Sequence, residues 1–289
     1  MSTKKSSSKI PLKQQAGSHR PSAQAQAYVH TALFQPGFWG SNWMPAVLLM
    51  GMAFVLYATS LGFGYLMDDQ LVIWDNIFVQ KGLAGLGDIF SHDSLLGYYK
   101  KESLLLEGGR YRPLPLATFA LEISLFGKDH PGLGHFINVL LYGATGVFIY
   151  RILLGFFPAQ EGKKWFLSVP FLAAIIFLLH PLHTEVVANI KSRDEILALL
   201  GSLGALYGSM KYFDSGRKSW LYAAAGSLFL GLLSKENAMT FLAVVPLTLW
   251  MFTRVPGEKI AGAVVPLLGA ALLFIIVRYM ALGYMVHTN

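Results

Sequence analysis

Apolar residues fall along this chain in stretches of 17 to 25, centred on 42–66, 132–156, 165–183, 195–213, 218–234, 237–253 and 260–278, with short polar turns between them. The hydrocarbon core of a bilayer is about 30 Å thick, so about 20 apolar residues in a helix cross it. Seven membrane spans, give or take one, are therefore predicted. A shorter run, "LPLATFALEISLF" (114–126), carries Glu122 and is predicted as an interfacial helix. The segment 77–106, between the first two long runs, reads as short amphipathic helices lying in the interface. Residues 1–41 are polar and basic, cannot bury a core, and are expected to form a disordered tail. They do not read as a signal peptide, because the first apolar run is too long and more spans follow. The expected organisation is thus a tail (1–41) and one membrane module (42–289), all-α, with no repeat of fixed period.

Composition agrees: 54% of residues are hydrophobic and 13% charged, with a mean hydropathy of +0.48, the balance of an integral membrane protein. The chain has no cysteine, which removes disulfides, thiolate catalysis and cysteine-bound zinc and leaves the redox compartment open. The net charge of +7 is explained by topology. With the tail inside and the spans alternating, the inner segments hold 13 basic residues against Glu161, Asp214 and Glu258, as basic residues favour the cytoplasmic side. No basic stripe interleaved with aromatics appears, so no nucleic-acid partner is expected.

With this topology the unusual polar clusters all fall on the outer side: "MDDQ" (67–70), "GGRYRPLP" (108–115), "HPLHTEVVANIKSRDE" (180–195) and "SKEN" (234–237). Ionisable groups near membrane depth are costly and often mark a site. Each cluster also has a plainer reading. Asp68 and Asp69 read as a polar stop after a span, or as paired acids whose repulsion raises one pKa toward that of a general base. His180 and His183 with Glu185 resemble half a metal site. Pro181 breaks the helix such a pair needs, so polar lining of a cleft is the preferred reading. Arg193 with Asp194 and Glu195, and Lys235 with Glu236, also read as helix-end ion pairs, and Arg110 and Arg112 as interfacial snorkels.

In order along the chain, "MDDQLVIWDN", "RYRPLPLATFALEISLFG", "PGLGHFINVLLY", "HPLHTEVVANIKSRDEILA" and "SKENAMT" strongly resemble motifs of the transmembrane O-mannosyltransferases that act on cadherins and of their bacterial relatives. That resemblance, over about residues 60–245, implies the GT-C glycosyltransferase fold. It also implies inverting transfer of a mannose-like sugar from a polyprenyl-phosphate carrier to a Ser or Thr of a translocated protein. By the same resemblance Asp68 is the base, with Asp69 beside it. The donor's phosphate and sugar are expected among Arg110, Arg112, His180, His183, Glu185, Arg193, Asp194, Lys235 and Glu236. Of these, Arg112, Arg193 and Lys235 are the candidate cations for the leaving phosphate. No protein metal site is predicted and no cofactor is assigned, a divalent cation at the paired acids being the open option.

The membrane implied is a bacterial inner membrane with the site facing the periplasm, or an endoplasmic reticulum membrane with the site facing the lumen. Family members are usually longer, with further spans and a tetratricopeptide array, so the module is expected to be incomplete at its C-terminus. Two other classes stay open: a transferase acting on a lipid or glycan acceptor, and a non-enzymatic transporter or scaffold, for which ionisable residues along a midplane path would be expected.

Overall fold

The computed structural model describes residues 43–101, 109–157 and 164–283. The expected tail, residues 102–106 of the first outer loop and the last six residues lie outside that range. Every regular element among the described residues is helical. The chain runs through α1 (Trp43–Tyr57), the short helices α2 (Met67–Asp69), α3 (Ile77–Gln80), α4 (Leu86–Ser91) and α5 (Leu96–Tyr99), then α6 (Pro113–Phe126) and α7 (Pro131–Phe156). It continues through α8 (Val169–Leu179), α9 (His183–Ala188), α10 (Arg193–Ser215), α11 (Ser219–Ser234), α12 (Phe241–Phe252) and α13 (Gly257–Leu282).

All seven apolar runs appear as helices. Four are long and apolar enough to cross a membrane: Trp43–Gly62, Pro131–Phe156, Ile190–Ser215 and Gly257–Leu282. The other three give shorter apolar helices, Val169–Leu179, Ser219–Ser234 and Glu236–Phe252, and the sequence shows why. Ser168 caps α8 by accepting a hydrogen bond from the Phe171 N–H at 3.4 Å, and Pro181 follows two residues after its end. Lys235 takes an extended conformation between α11 and the 3₁₀ turn Glu236–Thr240. The chain is thus an all-α polytopic membrane bundle, whose outer faces carry exposed apolar residues such as Val47, Val55, Trp250, Leu268 and Leu272.

Three apolar cores hold it together. Leu49, Ala53 and Tyr57 of α1 pack with Val139 and Tyr142 of α7 and Leu178 of α8. Leu206, Met210, Leu228, Leu232, Leu249 and Phe274 join α10 to α13. Here α10 and α11 approach so closely that a Cβ on Gly201 would stand 2.6 Å from the Cα of Gly231, the small-residue contact by which helices associate in lipid. The third core is built by the first outer loop: Val72, Ile73, Phe78, Val79, Ile89 and Leu95 close over Leu116, Phe119 and Ala120 of α6. The short helices expected there are present, and they have a core of their own. Asn76 fixes the first by accepting from the Phe78 N–H at 3.1 Å.

Candidate active site

The polar clusters meet at one end of the bundle. Asp68 and Asp69 share a short helix but not an environment. Asp69 is fully buried; its Oδ2 accepts from the Leu66 N–H at 2.8 Å and its Oδ1 from the Lys191 N–H at 2.7 Å. Burial pushes its carboxyl above the ordinary range, against the pull of those two N–H groups. The Asp68 side chain is 54% exposed, and Lys191 Nζ lies 4.0 Å from its Oδ2. The N-terminal acid of the pair is therefore open to a reactant and the second is a buried anchor. Nearby, burial together with the charges of Glu122 and Asp69 pushes the Tyr65 phenol up to about 12.

The loop 109–112 is held against the 93–95 turn. Asp93 accepts from the Arg110 N–H at 2.5 Å and from the Leu95 N–H at 2.8 Å. Ser94 Oγ accepts from the Arg112 N–H at 2.8 Å. Gly109 turns the chain at φ +61°, a conformation that favours glycine, and its carbonyl accepts from Arg278 Nη2 at 3.2 Å. These contacts aim Arg112 at two carboxylates: Nη1 donates to Asp194 Oδ2 at 2.9 Å and Nε to Glu236 Oε2 at 3.2 Å. Glu236 is in turn paired with Arg278 of α13 at 3.1 Å. Four elements distant in sequence are tied by this one network.

Arg193 faces the interior of the bundle. It is completely buried and all five of its N–H groups are used. Nε donates to Asn138 Oδ1 at 2.8 Å, Nη1 to Thr118 Oγ1 at 3.0 Å and to Glu122, and Nη2 to Glu122 at 3.4 Å and to the Gly134 carbonyl at 3.1 Å. The guanidinium stacks 4.5 Å from the Phe119 ring centroid. Its position explains the chemistry of the neighbouring motifs: Asn138 also donates to the Asn189 carbonyl at 3.0 Å, so α6, α7 and the start of α10 are locked together. Lys235, the third candidate cation, is paired with Glu195, whose other oxygen accepts from Asn237 at 3.2 Å.

Two cavities flank the first turn of α10. The smaller, of about 30 Å³, is lined by Ser94, Arg110, Arg112, Lys191 and Asp194 over an apolar floor that includes Val72 and Phe119. The larger, of about 440 Å³, is mainly apolar, with Tyr142, Phe177, Leu199 and Phe241 in its wall and His183, Glu195, Asn237 and Thr240 among its polar groups. His183 Nδ1 lies 2.8 Å from the Phe177 carbonyl and 2.8 Å from the Tyr142 hydroxyl. A carbonyl only accepts, so the proton is assigned to Nδ1, and Nε2 is left as an acceptor. His180, at the turn, and Glu185, in α9, are exposed and line neither cavity. Among the described residues no group of three or more His, Asp or Glu is placed to hold a metal ion.

Sequence reasoning passed over Lys191, Glu122, Asn138 and Arg278. Arg278 had a legible signal, being a lone cation inside an apolar run. Lys191 sits within the quoted "NIKSRDE" but does not stand out there until the fold brings it to Asp68.

No family model matches the chain, and no solved structure matches it. Curated relatives do. Human protein O-mannosyl-transferase TMTC4 is 30% identical over 223 residues, covering 72% of this chain and 29% of the relative. Human protein O-mannosyl-transferase TMTC1 is 32% identical over 210 residues, covering 69% and 23%, and protein O-mannosyl-transferase Tmtc2 of Drosophila melanogaster is 32% identical over 206 residues, covering 68% and 20%. The chain thus spans less than a third of the length of these relatives. On the five ordered motifs and these matches, the chain belongs to the transmembrane protein O-mannosyltransferase family.

Proposed function

We propose that this chain is the donor-handling part of an inverting glycosyltransferase, which moves a mannose-like sugar from a polyprenyl-phosphate carrier to a Ser or Thr hydroxyl at the outer boundary of the membrane. The observation that carries this is the contrast between the two acids: Asp69 is clamped by two backbone N–H groups, while Asp68 is exposed beside a cationic cleft. A neutral hydroxyl is a poor nucleophile. Asp68 takes its proton as the oxygen attacks C1 of the sugar. The bond from C1 to the phosphate oxygen breaks, its electron pair stays on that oxygen, and polyprenyl phosphate leaves. Cations at the cleft stabilise that developing charge. The 440 Å³ cavity has the size and the largely apolar walls of a small-ligand site and takes the first isoprene units of the carrier.

Two host membranes fit this reading, a bacterial inner membrane with the site on the periplasmic side and an endoplasmic reticulum membrane with the site on the lumenal side. The test is single-turnover transfer by the full-length protein in nanodiscs, from polyprenyl-phosphate mannose to a Ser/Thr acceptor protein. Asp68→Asn keeps the shape and removes the base, so transfer is expected to fall by about 10²–10⁴-fold with donor binding retained. Transfer at the wild-type rate by Asp68→Asn would return the acid pair to a polar stop.

A further inference from the structure

At the bundle end that holds the acid pair, the cations divide into those already neutralised and those that are not. Arg193 spends every donor on Glu122, Thr118, Asn138 and Gly134. Arg112 and Arg278 are balanced by Asp194 and Glu236, and Lys235 by Glu195. Two others face the 30 Å³ cleft. Arg110 has no ion pair among the described residues, and Lys191 reaches a carboxylate only at 4.0 Å, on exposed Asp68. The cleft has room for about two waters, enough for the oxygens of a small anion but not for a sugar.

We infer that Lys191 and Arg110 form the seat of the donor's phosphate, and that Lys191 is a catalytic residue that stabilises the leaving group; this rests on the transfer reaction proposed above. Arg112 then has a different task. With carboxylates on both its edges it is a scaffold holding Asp194 and Glu236, and the phosphate reaches it only as a neighbour. The charge change in the reaction explains why Arg110 and Lys191, the cations at the cleft not tied into the Asp194–Glu236 network, are both needed. A sugar phosphodiester carries one negative charge, and as the C1–O bond breaks the phosphate moves toward two. A second cation is therefore worth more in the transition state than in the bound donor, which is the difference that accelerates a reaction. Lys191 also links the two halves of the site: its backbone N–H holds Asp69 and its ammonium lies beside Asp68. Because the contact with Asp69 is made by the backbone, a side-chain substitution removes the ammonium and leaves that anchor in place.

The experiment uses the full-length protein in nanodiscs with two probes, a short polyprenyl phosphate lacking sugar and the corresponding polyprenol. The wild type is expected to prefer the phosphate by at least about tenfold, and Lys191→Gln and Arg110→Gln each to lose most of that preference with polyprenol binding unchanged. Lys191→Arg, which keeps the charge, is expected to retain it. Single-turnover transfer by Lys191→Gln should fall further than its donor affinity does. The seat is overturned if Lys191→Gln keeps the wild-type preference for phosphate, or if it loses phosphate and polyprenol binding alike, the mark of a structural role. A wild type that prefers the phosphate but transfers no sugar would sink the transferase reading and leave the seat standing. Normal transfer by Lys191→Gln would do the reverse.

Discussion

Neighbouring carboxylates at the end of a span differ here by what their backbone surroundings offer. Asp69 turns inward and receives two N–H groups; an asparagine accepts on one side only, so Asp69→Asn leaves a buried donor facing an amide. That is expected to cost about 1–3 kcal/mol, read as the midpoint of thermal unfolding in detergent. The pH dependence follows from the raised carboxyl of Asp69. Between the ordinary carboxyl range and the raised folded value, the folded state binds the proton more tightly than the unfolded one. The contribution of this group to stability is therefore highest below that window, declines as pH rises through it and is lowest above it. Relative to Asp69→Asn, the wild type should lose stability as pH rises from about 4 toward neutral. A gap that widens in favour of the wild type over that range would mean that the buried carboxylate is the favoured form. The pair was legible in "MDDQ", but that Asp68 is exposed and Asp69 buried was not. That Asp69 is anchored by residues 66 and 191 was not, since backbone donors leave no mark in a sequence.

Between elements, the decisive feature is a buried ion pair. Arg193 at the start of α10 meets Glu122 on α6 and Asn138 on α7, so three helices share one charged knot. Removing one partner of such a pair leaves an uncompensated charge and costs about 3–5 kcal/mol, whereas replacing both with apolar groups is often tolerated. Glu122→Gln is accordingly expected to lower stability by about 3–5 kcal/mol, and the double substitution Glu122→Leu, Arg193→Met to recover much of it, both measured by unfolding in detergent. A stable Glu122→Gln with selective loss of donor phosphate binding would mean that Arg193 serves the donor after all. The sequence marked Arg193 as unusual but could not distinguish a phosphate cation from an internal one. That distinction depends on Thr118, Glu122 and Asn138, which lie 55 to 75 residues away.

For the whole molecule, the charge pattern and the fold agree on two ends. One gathers Asp68, Arg112, Asp194, Glu236 and Arg278, and the other carries Lys211, Asp214, Arg217 and Lys218 around the end of α10. The expected orientation places the second end in the cytoplasm. Because the chain has no cysteine, Glu185→Cys and Arg217→Cys, made singly on exposed positions, can be probed in intact vesicles of known sidedness with a membrane-impermeant thiol reagent. Position 185 should label from the outer side and position 217 only from the cytoplasmic side. The reverse pattern would invert the topology and move the site to the other face of the membrane.

The sequence by itself determined the all-helical membrane architecture, the seven apolar segments and the gathering of the polar motifs at one end, because all three follow from the length of apolar runs and the placement of charge along one dimension. It also marked the family, through five motifs in order. The tertiary structure decided which segments become full-length helices, since Ser168, Pro181 and the extended Lys235 cut three of them short. It also decided which ionisable residues face one another. Arg112, Arg193 and Lys235 are not told apart by the sequence, and only their partners from distant elements show that each is paired with a carboxylate within the fold. Coulomb interactions act over a few ångströms regardless of separation along the chain, so the same cation can be a ligand group or a structural pin, and the fold makes that choice.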